Sequence, residues 1–320
     1  MLSAGELHRS PNALASSYGR FRVAERLLLT GHSHQAWPDR ALVGQIRAWE
    51  DAAELVDGKW QRAFAKAERV RRGFARLMAD GGDGVPQAAY SLGINTHELV
   101  LRFLSALPLR TRRKLLTTDG EFHSIRRQLD RLAEEGIEVV KVPSRPVTAV
   151  AERLIQSIDD RTAAVLVSSV FFASGAIVPG LGEVCRAARA RGAELLVDAY
   201  HSLGVMPFPL QPLGLEEAFV VGGGYKYCQL GEGNCFLRVP PGCTARPVLT
   251  GWFAEFDALA DVHPGEVIYG AGGARFAGST YDPVSHYRAA EVFDFFAEQG
   301  LTPDFLREIS QHQIGLLCQG

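Results

Sequence analysis

The residue in this chain that most favours a chemical role is a lysine behind a glycine-rich run. The stretch VVGGGYKYC (220–228) places Lys226 directly after a β-branched segment and three glycines. Of the 34 lysines and arginines in the chain, only five are lysines. A cation needed only for solubility would more often be an arginine, which does not lose its proton in proteins. We therefore interpret Lys226 as a residue present for its deprotonatable amine.

Two polar residues at the end of the preceding apolar run accompany this lysine. Asp198 closes the segment LLVD, and His201 follows three residues later in DAYH. None of these three features is specific by itself. A carboxylate at a strand end also caps turns, and a single histidine is more often structural than catalytic. The segment GGGYK alone suggests a flexible turn with a solvent-exposed lysine. The order of aspartate, short crossover, glycine-rich strand end and lysine favours one shared site.

Alternating apolar runs and helical patterns must position these residues. Strands are predicted over 114–118, 137–142, 163–172, 194–200 and 218–224, and helices over 124–135, 149–158 and 181–192. Near-continuous apolar strands separated by helices are typical of an α/β fold with a mainly parallel central sheet and helices on both faces. In such sheets ligands collect at the carboxyl ends of the strands, where Asp198 and Lys226 are expected to meet.

This set of residues matches the needs of pyridoxal phosphate. The cofactor requires a lysine for covalent attachment and a carboxylate that keeps its ring nitrogen protonated, so that the ring acts as an electron sink. Lys226 and Asp198 supply these two groups. The sequence therefore predicts a pyridoxal-phosphate site and no metal.

The phosphate and the ring each need a further partner. Phosphates bind backbone N–H groups at helix N-termini, and GINT (93–96) precedes an apolar-periodic helix with Asn95 or Thr96 as its N-cap. An ordinary capped helix is the alternative for that segment. For a flat group beside the ring, DGEFHS (119–124) offers His123 or Phe122.

These residues together resemble the class V pyridoxal-phosphate enzymes of fold type I, and within them kynureninase and its relatives, over most of the chain. The most specific segment is DAYHSLGVMPFPL followed by AFVVGGGYKY, which is similar to the family's Asp-x-x-His-Ser and Gly-Tyr-Lys-Tyr patterns. The resemblance implies that Asp198 pairs with the pyridine nitrogen, His201 lies near the ring and Lys226 carries the cofactor. Tyr225 would donate to the phosphate or polarise the substrate. The segment EFHS is closer to the wider class V pattern, which favours His123 over Phe122.

Three other segments carry residues over from the family. TGWF (250–253) resembles a Gly-Trp-Phe motif whose tryptophan, here Trp252, reaches toward phosphate or substrate. SVFFASG resembles the segment that shapes the ring pocket, with Ser168 or Ser174 as a contact. FAGSTYDP resembles the segment that brings a hydroxyl to the partner's phosphate, so that Ser279 or Thr280 implies a homodimer with composite sites.

The chain also departs from the family pattern. His32 and His34 in LTGHSHQAWP replace a Gly-Asn-Ser-Leu-Gly segment, so substrate contacts are expected to differ. GWFAEF lacks the histidine-containing continuation of kynureninases.

The predicted domains are an N-terminal segment (1–30), a large cofactor-binding domain (31–284) and the truncated start of a small domain (285–320). In the family, the arginine that binds the substrate carboxylate lies in the part missing here. Arg275 and Arg288 are the nearest arginines, and no motif supports either.

The resemblance implies hydrolytic Cβ–Cγ cleavage of kynurenine to anthranilate and alanine. The alternatives are a class V aminotransferase or lyase acting on another amino acid, and a truncated remnant that binds the cofactor without turnover. Cysteine desulfuration requires a nucleophilic cysteine in a mobile late loop, and none of the cysteines in this sequence matches that position. Nucleotide binding is disfavoured because GGGYK lacks the P-loop spacing and its Ser/Thr.

Bulk composition excludes several classes of partner. A net charge of −2 gives no sign of nucleic-acid or membrane binding. The five cysteines form no CxxC pair, the N-terminus lacks a signal-peptide layout, and no apolar run has the length of a membrane span. We expect a cytoplasmic protein with reduced thiols and a small-molecule amino-acid substrate.

Overall fold

Seven strands and ten α-helices make up the described part of the chain, residues 2–81, 89–260 and 265–319 of a computed structural model. The strands are β1 (Tyr90–Gly93), β2 (Lys114–Thr118), β3 (Glu138–Val142), β4 (Thr162–Ser168), β5 (Glu194–Asp198), β6 (Phe219–Gly223) and β7 (Cys235–Arg238). The helices are α1 (Ala4–Leu7), α2 (Arg40–Leu55), α3 (Lys59–Leu77), α4 (Thr96–Ala106), α5 (His123–Glu134), α6 (Val150–Ser157), α7 (Leu181–Ala190), α8 (Leu210–Leu213), α9 (Val284–Gln299) and α10 (Pro303–Gln319).

The strands form one sheet in the order β1-β7-β6-β5-β4-β2-β3. Strands β2 to β6 pair in parallel, whereas β7 pairs antiparallel with both β6 and β1. The mainly parallel sheet predicted from the sequence is therefore confirmed. Ser168 is in register with Asp198, and Asp198 with Val221, so the carboxyl ends of β4, β5 and β6 lie side by side.

Helices cover both faces of the sheet because its central strands are apolar on both sides. In β4, Val165 and Val167 pack in a cluster that includes side chains of α3, α6, α7 and α9. Ala164 and Leu166 face the opposite cluster, which includes side chains of α4 and α5. All four side chains are at most 1% exposed. Alternate residues of β4 are buried on opposite faces of the sheet, which explains why the run AAVLV contains no polar residue.

Strands β4 and β5 were predicted to extend two or more residues past their observed ends, and both of these ends lie at the carboxyl edge of the sheet. β5 ends at Asp198, whose Oδ1 accepts a hydrogen bond from Tyr200 N at 2.9 Å and so closes a turn. β4 ends at Ser168 rather than at residue 172, because the chain turns back there and Gly175 N donates to Phe171 O at 2.8 Å.

The last two helices pack on the N-terminal part of the chain. Tyr287 of α9 donates to Asp51 of α2 at 2.8 Å, and Glu291 of α9 accepts from Lys66 of α3 at 3.1 Å. The division of the chain at residue 284 stays a prediction. Across the described ranges, no helix combines the length and the apolar character needed to cross a membrane.

Candidate active site

A cavity of about 270 Å³ lies at the carboxyl ends of β4, β5 and β6. Its walls come from the strand ends, from the N-termini of α4 and α5 and from the loop after β6. The lining residues are Ile94, Asn95, Thr96, His97, Phe122, Ser124, Ser168, Phe172, Asp198, Tyr200, His201, Tyr225, Lys226, Glu232, Gly233 and Cys235. The structure thus brings together the aspartate, histidine, tyrosine and lysine that the sequence singled out.

Lys226 and His201 form a direct pair in this cavity. The Nζ atom of Lys226 lies 2.7 Å from Nε2 of His201, and the lysine is 5% exposed. Burial, followed by the nearby lysine, lowers the pKa of His201 to about 4. Burial also lowers the pKa of Lys226. The imidazole is therefore neutral at ordinary pH, and in the tautomer with its proton on Nδ1 the ring accepts a hydrogen bond from Lys226 at Nε2.

Three aromatic rings surround the lysine nitrogen. The Nζ atom lies 4.8 Å from the ring centre of Tyr200, 5.3 Å from that of Phe122 and 5.6 Å from that of Tyr225. Ring faces attract a cation but do not solvate it as water does. The protonated form of this amine is therefore less stabilised than that of an exposed lysine, in agreement with its lowered pKa.

Asp198 is a partly buried carboxylate with few stabilising partners. Its Oδ1 accepts from Tyr200 N at 2.9 Å, and burial raises the pKa of Asp198 to about 6 although Lys226 opposes the shift. A carboxylate of this kind is stabilised by any cation that enters beside it. The cavity therefore offers a place for a positively charged ring nitrogen.

Glycines allow the loop that carries Lys226 to lie close to its neighbours. A Cβ atom on Gly223 would lie 2.5 Å from the sulfur of Cys235 and from the hydroxyl of Tyr200. A Cβ on Gly224 would collide with the side chain of Leu230. Larger residues at either position would displace β6 from the wall that holds Lys226.

The N-terminus of α4 faces the same cavity. Asn95 is the N-cap, as predicted, and its side chain accepts from Glu98 N at 2.9 Å. Asn95 and Thr96 both line the cavity. Unpaired N–H groups at a helix N-terminus favour an anion such as a phosphate.

The flat wall of the cavity is Phe122, which corrects the preference for His123. Phe122 is the N-cap of α5 in an extended conformation, and its ring lines the cavity. His123 is the first helical residue, and its Nδ1 lies 3.3 Å from Nη2 of Arg126, outside the cavity lining. The helix begins one residue earlier than predicted, and this shift decides which of the two rings faces inward.

Of the two candidate serines, Ser168 lines the cavity and Ser174 does not. The Ser168 hydroxyl donates to Glu121 Oε2 at 2.5 Å. The Ser174 hydroxyl accepts from Ala176 N at 3.3 Å in the turn after β4. Glu121 was not among the site residues predicted from the sequence, although it lies shortly after the end of β2, much as Asp198 lies at the end of β5.

Trp252 and Thr280 do not reach this cavity within the chain. Trp252 is 43% exposed and packs on Phe253 and Phe256, because the segment 252–258 forms a 3₁₀ helix at the surface. Ser279 and Thr280 line a separate cavity of about 720 Å³. Trp252 therefore lies outside the lining of the Lys226 cavity, and the predicted contact of Ser279 or Thr280 with the partner's phosphate stays a prediction.

The two arginines considered for the substrate carboxylate serve other contacts. Arg275 Nη1 donates to Ala245 O at 2.7 Å. Arg288 Nε donates to Leu230 O at 2.7 Å, and its guanidinium lies 4.5 Å from the ring centre of Trp37. Neither arginine lines the cavity that holds Lys226.

A larger cavity of about 1010 Å³ adjoins the first at Phe172 and His201. His32 lines this larger cavity, whereas His34 packs against the ring of Tyr225 with centres 5.0 Å apart. The walls of this larger cavity are more apolar than polar, with side chains such as Leu28, Leu29, Val170, Ile177, Met206 and Leu306. An apolar group attached to a molecule bound beside Lys226 therefore has space here.

Comparison with known proteins gives matches over part of the chain. Residues 93–230 match the family model described as aminotransferase class-V. The chain is 31% identical over 199 residues to isopenicillin N epimerase of Streptomyces clavuligerus, covering 60% of this chain and 47% of that protein. It is 31% identical over 201 residues to kynureninase of Xanthomonas euvesicatoria pv. vesicatoria, covering 58% of this chain and 46% of that one. The matched stretch spans about half the length of these curated relatives.

Solved structures share the fold at low sequence identity. A mutant of C-DES with glycine covalently linked to its PLP cofactor superposes with a TM-score of 0.76 at 18% identity, over 90% of this chain and 75% of that one. The apo cysteine desulfurase of Thermococcus onnurineus NA1 superposes with a TM-score of 0.71 at 19% identity, over 94% of this chain and 73% of that one. The predicted family resemblance and the predicted fold are confirmed.

Proposed function

Because this chain resembles the class V pyridoxal-phosphate enzymes in sequence and fold, we propose that its Lys226 carries that cofactor and that the site acts on an amino acid. The observation that carries the proposal is the single cavity that holds Lys226, His201 and Asp198 at adjoining strand ends. The chain covers only part of its relatives' length, so the activity of the whole protein belongs to the proposal.

The residues present fit the cofactor. Asp198 is a partly buried carboxylate with a raised pKa, whose charge a ring nitrogen would stabilise. The N-terminus of α4 at Asn95 and Thr96 suits a phosphate, and the ring of Phe122 supplies a flat wall. When bound, pyridoxal phosphate supplies an electron sink that stabilises negative charge on the carbon next to the substrate nitrogen.

Lys226 is the proposed proton carrier. Its Nζ has a lowered pKa, so the amine can take up and release a proton at the substrate, and the contact with Nε2 of His201, 2.7 Å away, holds the amine in place. Tyr225 and Tyr200 flank the amine and exclude water from it. We propose that Tyr225 orients the phosphate or the substrate through its hydroxyl.

We propose an aromatic or other bulky amino acid as substrate, with kynureninase-like hydrolytic Cβ–Cγ cleavage as the reaction. Kynureninases at 28–31% identity support this choice, as does the apolar cavity beyond His201. Water is consumed in that reaction, and anthranilate and alanine leave. Cys228 and Cys235, the two cysteines nearest in sequence to Lys226, are unsuited to act as desulfurase nucleophiles, because burial raises the pKa of both thiols to about 12 and keeps them protonated.

We also propose a homodimer in the cytoplasm. The cavity that contains Ser279 and Thr280 shares Ile94 with the Lys226 cavity, so a second copy could supply a hydroxyl nearby. The exposed rings of Trp252 and Phe256 are suited to a contact between copies. Free cysteines support a reducing compartment. The division into residues 1–30, 31–284 and 285–320 remains part of this proposal.

The function is tested with the full chain incubated with pyridoxal phosphate. A visible absorption band that borohydride bleaches, with the cofactor left covalently bound to the protein, reports cofactor attachment. Anthranilate fluorescence reports kynurenine cleavage. Formation of anthranilate with equimolar alanine would support the proposal. A 2-oxo acid in place of these products would indicate transamination, and a band without any product would indicate a cofactor-binding remnant. Absence of a band from folded protein would overturn the proposal.

The assignment of the cavity wall yields a paired prediction. Phe122→Ala removes a stacking surface, and because aromatic pairs contribute about 0.5–1.5 kcal/mol, cofactor affinity should fall roughly two- to tenfold. His123→Ala, one residue away, should leave the affinity within about twofold, because His123 lies outside the cavity lining. Cofactor dissociation constants from absorbance titrations check both. The reverse order of effects would restore His123 as the stacking ring.

A further inference from the structure

Glu121 is a buried acid behind the candidate active site that the mechanism above does not use. It is 3% exposed. Each of its two carboxyl oxygens makes a hydrogen bond with a hydroxyl group. Thr118 Oγ1 donates to Oε1 at 2.6 Å, and Ser168 Oγ donates to Oε2 at 2.5 Å. The Thr118 hydroxyl is itself oriented by Gly120 N, which donates to it at 3.1 Å. Glu121 thus ties the end of β2 to the end of β4.

This acid is coupled to both walls of the cavity. Ser168, which Glu121 holds, is in register with Asp198 on the neighbouring strand. Phe122, the stacking wall, is the next residue along the chain after Glu121. A change in the charge or position of Glu121 therefore acts on the carboxylate and on the ring that face the cofactor cavity.

Positive charge is scarce around Glu121, because Lys226 is the one lysine or arginine among the described cavity-lining residues, whereas Asp198 and Glu232 both line the cavity and Glu121 lies behind it. Lys226 is the cation that acts on Asp198. Burial raises the pKa of Glu121 to about 7, the two hydroxyl donors oppose the shift, and the charge of Asp198 adds to it. Two like charges in one buried region cannot both ionise without cost.

We propose that Glu121 is a positioning residue that keeps its proton while Asp198 is ionised, so that the two carboxyls together carry one negative charge until Glu121 ionises. In this protonated form one of the two hydroxyl contacts is reversed, with Glu121 donating and the hydroxyl accepting. This inference rests on the proposed function, because the cofactor's ring nitrogen is the cation that would select Asp198 as the charged member. When Glu121 loses its proton at higher pH, a second negative charge stabilises cations in the cavity.

The titratable groups around Glu121 are known from the elements packed against it. Asp198 of β5, in register with Ser168, acts on it electrostatically. The other titratable groups that line the cavity are His97, Tyr200, His201, Tyr225, Lys226, Glu232 and Cys235. Asp119, two residues earlier, is turned toward Ser144, whose backbone N–H it accepts at 2.8 Å. His123, two residues later, is directed toward Arg126.

The test uses the cofactor-loaded full chain and its Glu121→Gln variant, with absorption spectra recorded from pH 5.5 to 9.5. Glutamine keeps the shape and cannot ionise. The midpoint of the pH-dependent visible band should be lower in the variant by on the order of one pH unit, because it lacks the charge that stabilises the protonated form. A purely structural role would lower thermal stability and leave the midpoint unchanged, which would overturn the proposal.

Ser168→Ala provides a second variant that does not alter the acid itself. It removes one donor to ionised Glu121, so Glu121 should keep its proton to higher pH and the midpoint should move toward that of Glu121→Gln. If Glu121→Gln does not fold, an unchanged midpoint in Ser168→Ala overturns the proposal.

A measurement without cofactor separates this inference from the proposed function. The folded-state pKa of Glu121 lies above its usual 4.5, so its contribution to stability is present below pH 4.5 and is lost as the pH rises through about 7. The melting temperature of Glu121→Gln relative to wild type should therefore increase between pH 5 and 8. A constant difference would overturn the Glu121 proposal whether or not the wild type binds pyridoxal phosphate.

Discussion

Lys226→Ala is expected to abolish covalent retention of pyridoxal phosphate and to reduce turnover of any substrate by at least about a thousandfold. The amine of Lys226 is the buried, ring-enclosed nitrogen of the cavity, and its lowered pKa makes it the proton carrier. Positioned acid–base groups contribute roughly 10²–10⁴-fold to rates, and loss of attachment adds to that. Mass spectrometry after borohydride reduction measures attachment, and steady-state kinetics measure turnover.

Lys226→Arg is the matched control for charge. Arginine keeps a cation beside His201 and Asp198 but cannot provide a neutral amine. It should therefore fail as completely as alanine in covalent attachment, while supporting Asp198 electrostatically. Covalent attachment in either variant, mapped to another lysine such as Lys114 or Lys141, would contradict the assignment.

Asp198→Asn is expected to weaken cofactor binding and turnover by about 10²–10⁴-fold. The substitution is nearly isosteric and keeps an acceptor for Tyr200 N, so that the loss reports the negative charge. Leaving one member of a buried ion pair unpaired costs about 3–5 kcal/mol, which sets this range. Absorbance titration gives the dissociation constant, and single-turnover kinetics give the rate.

Glu194→Gln is the control for Asp198, because Glu194 is the first residue of the same strand. Burial raises the pKa of Glu194 as well, but this carboxylate lies at the opposite end of β5 from the cavity. The variant should bind the cofactor within about twofold of wild type. Equal losses in both variants would mean that the effect comes from strand stability rather than from charge at the site.

The parallel core could be predicted from the sequence because its signals are local. Strand β2 was predicted with its observed bounds, since KLLTT has two leucines and two β-branched threonines and lies between a basic segment and a turn. Asp198 and Lys226 could be paired in advance, because residues at the carboxyl ends of neighbouring parallel strands must lie together.

Other features depended on contacts between distant residues. Strands β1 and β7 are short and were not predicted, because their pairing with each other and with β6 is a tertiary feature without a local pattern. The choice between Phe122 and His123 depended on the residue at which α5 begins. The role of Glu121 depended on Ser168, 47 positions away along the chain.

The pairing of β1 with β7 has a consequence for biosynthesis. Tyr90 meets Arg238 across the sheet, so β1 gains its partner only after about 150 further residues have been made. The segment after β1 holds Asn95 and Thr96, the proposed phosphate contacts. On the ribosome, chains grow at roughly 5–20 residues per second, and such distant pairings close late. A nascent chain that contains Asn95 but not yet β7 therefore lacks the finished binding site, and cofactor capture must await the release of β7 from the exit tunnel.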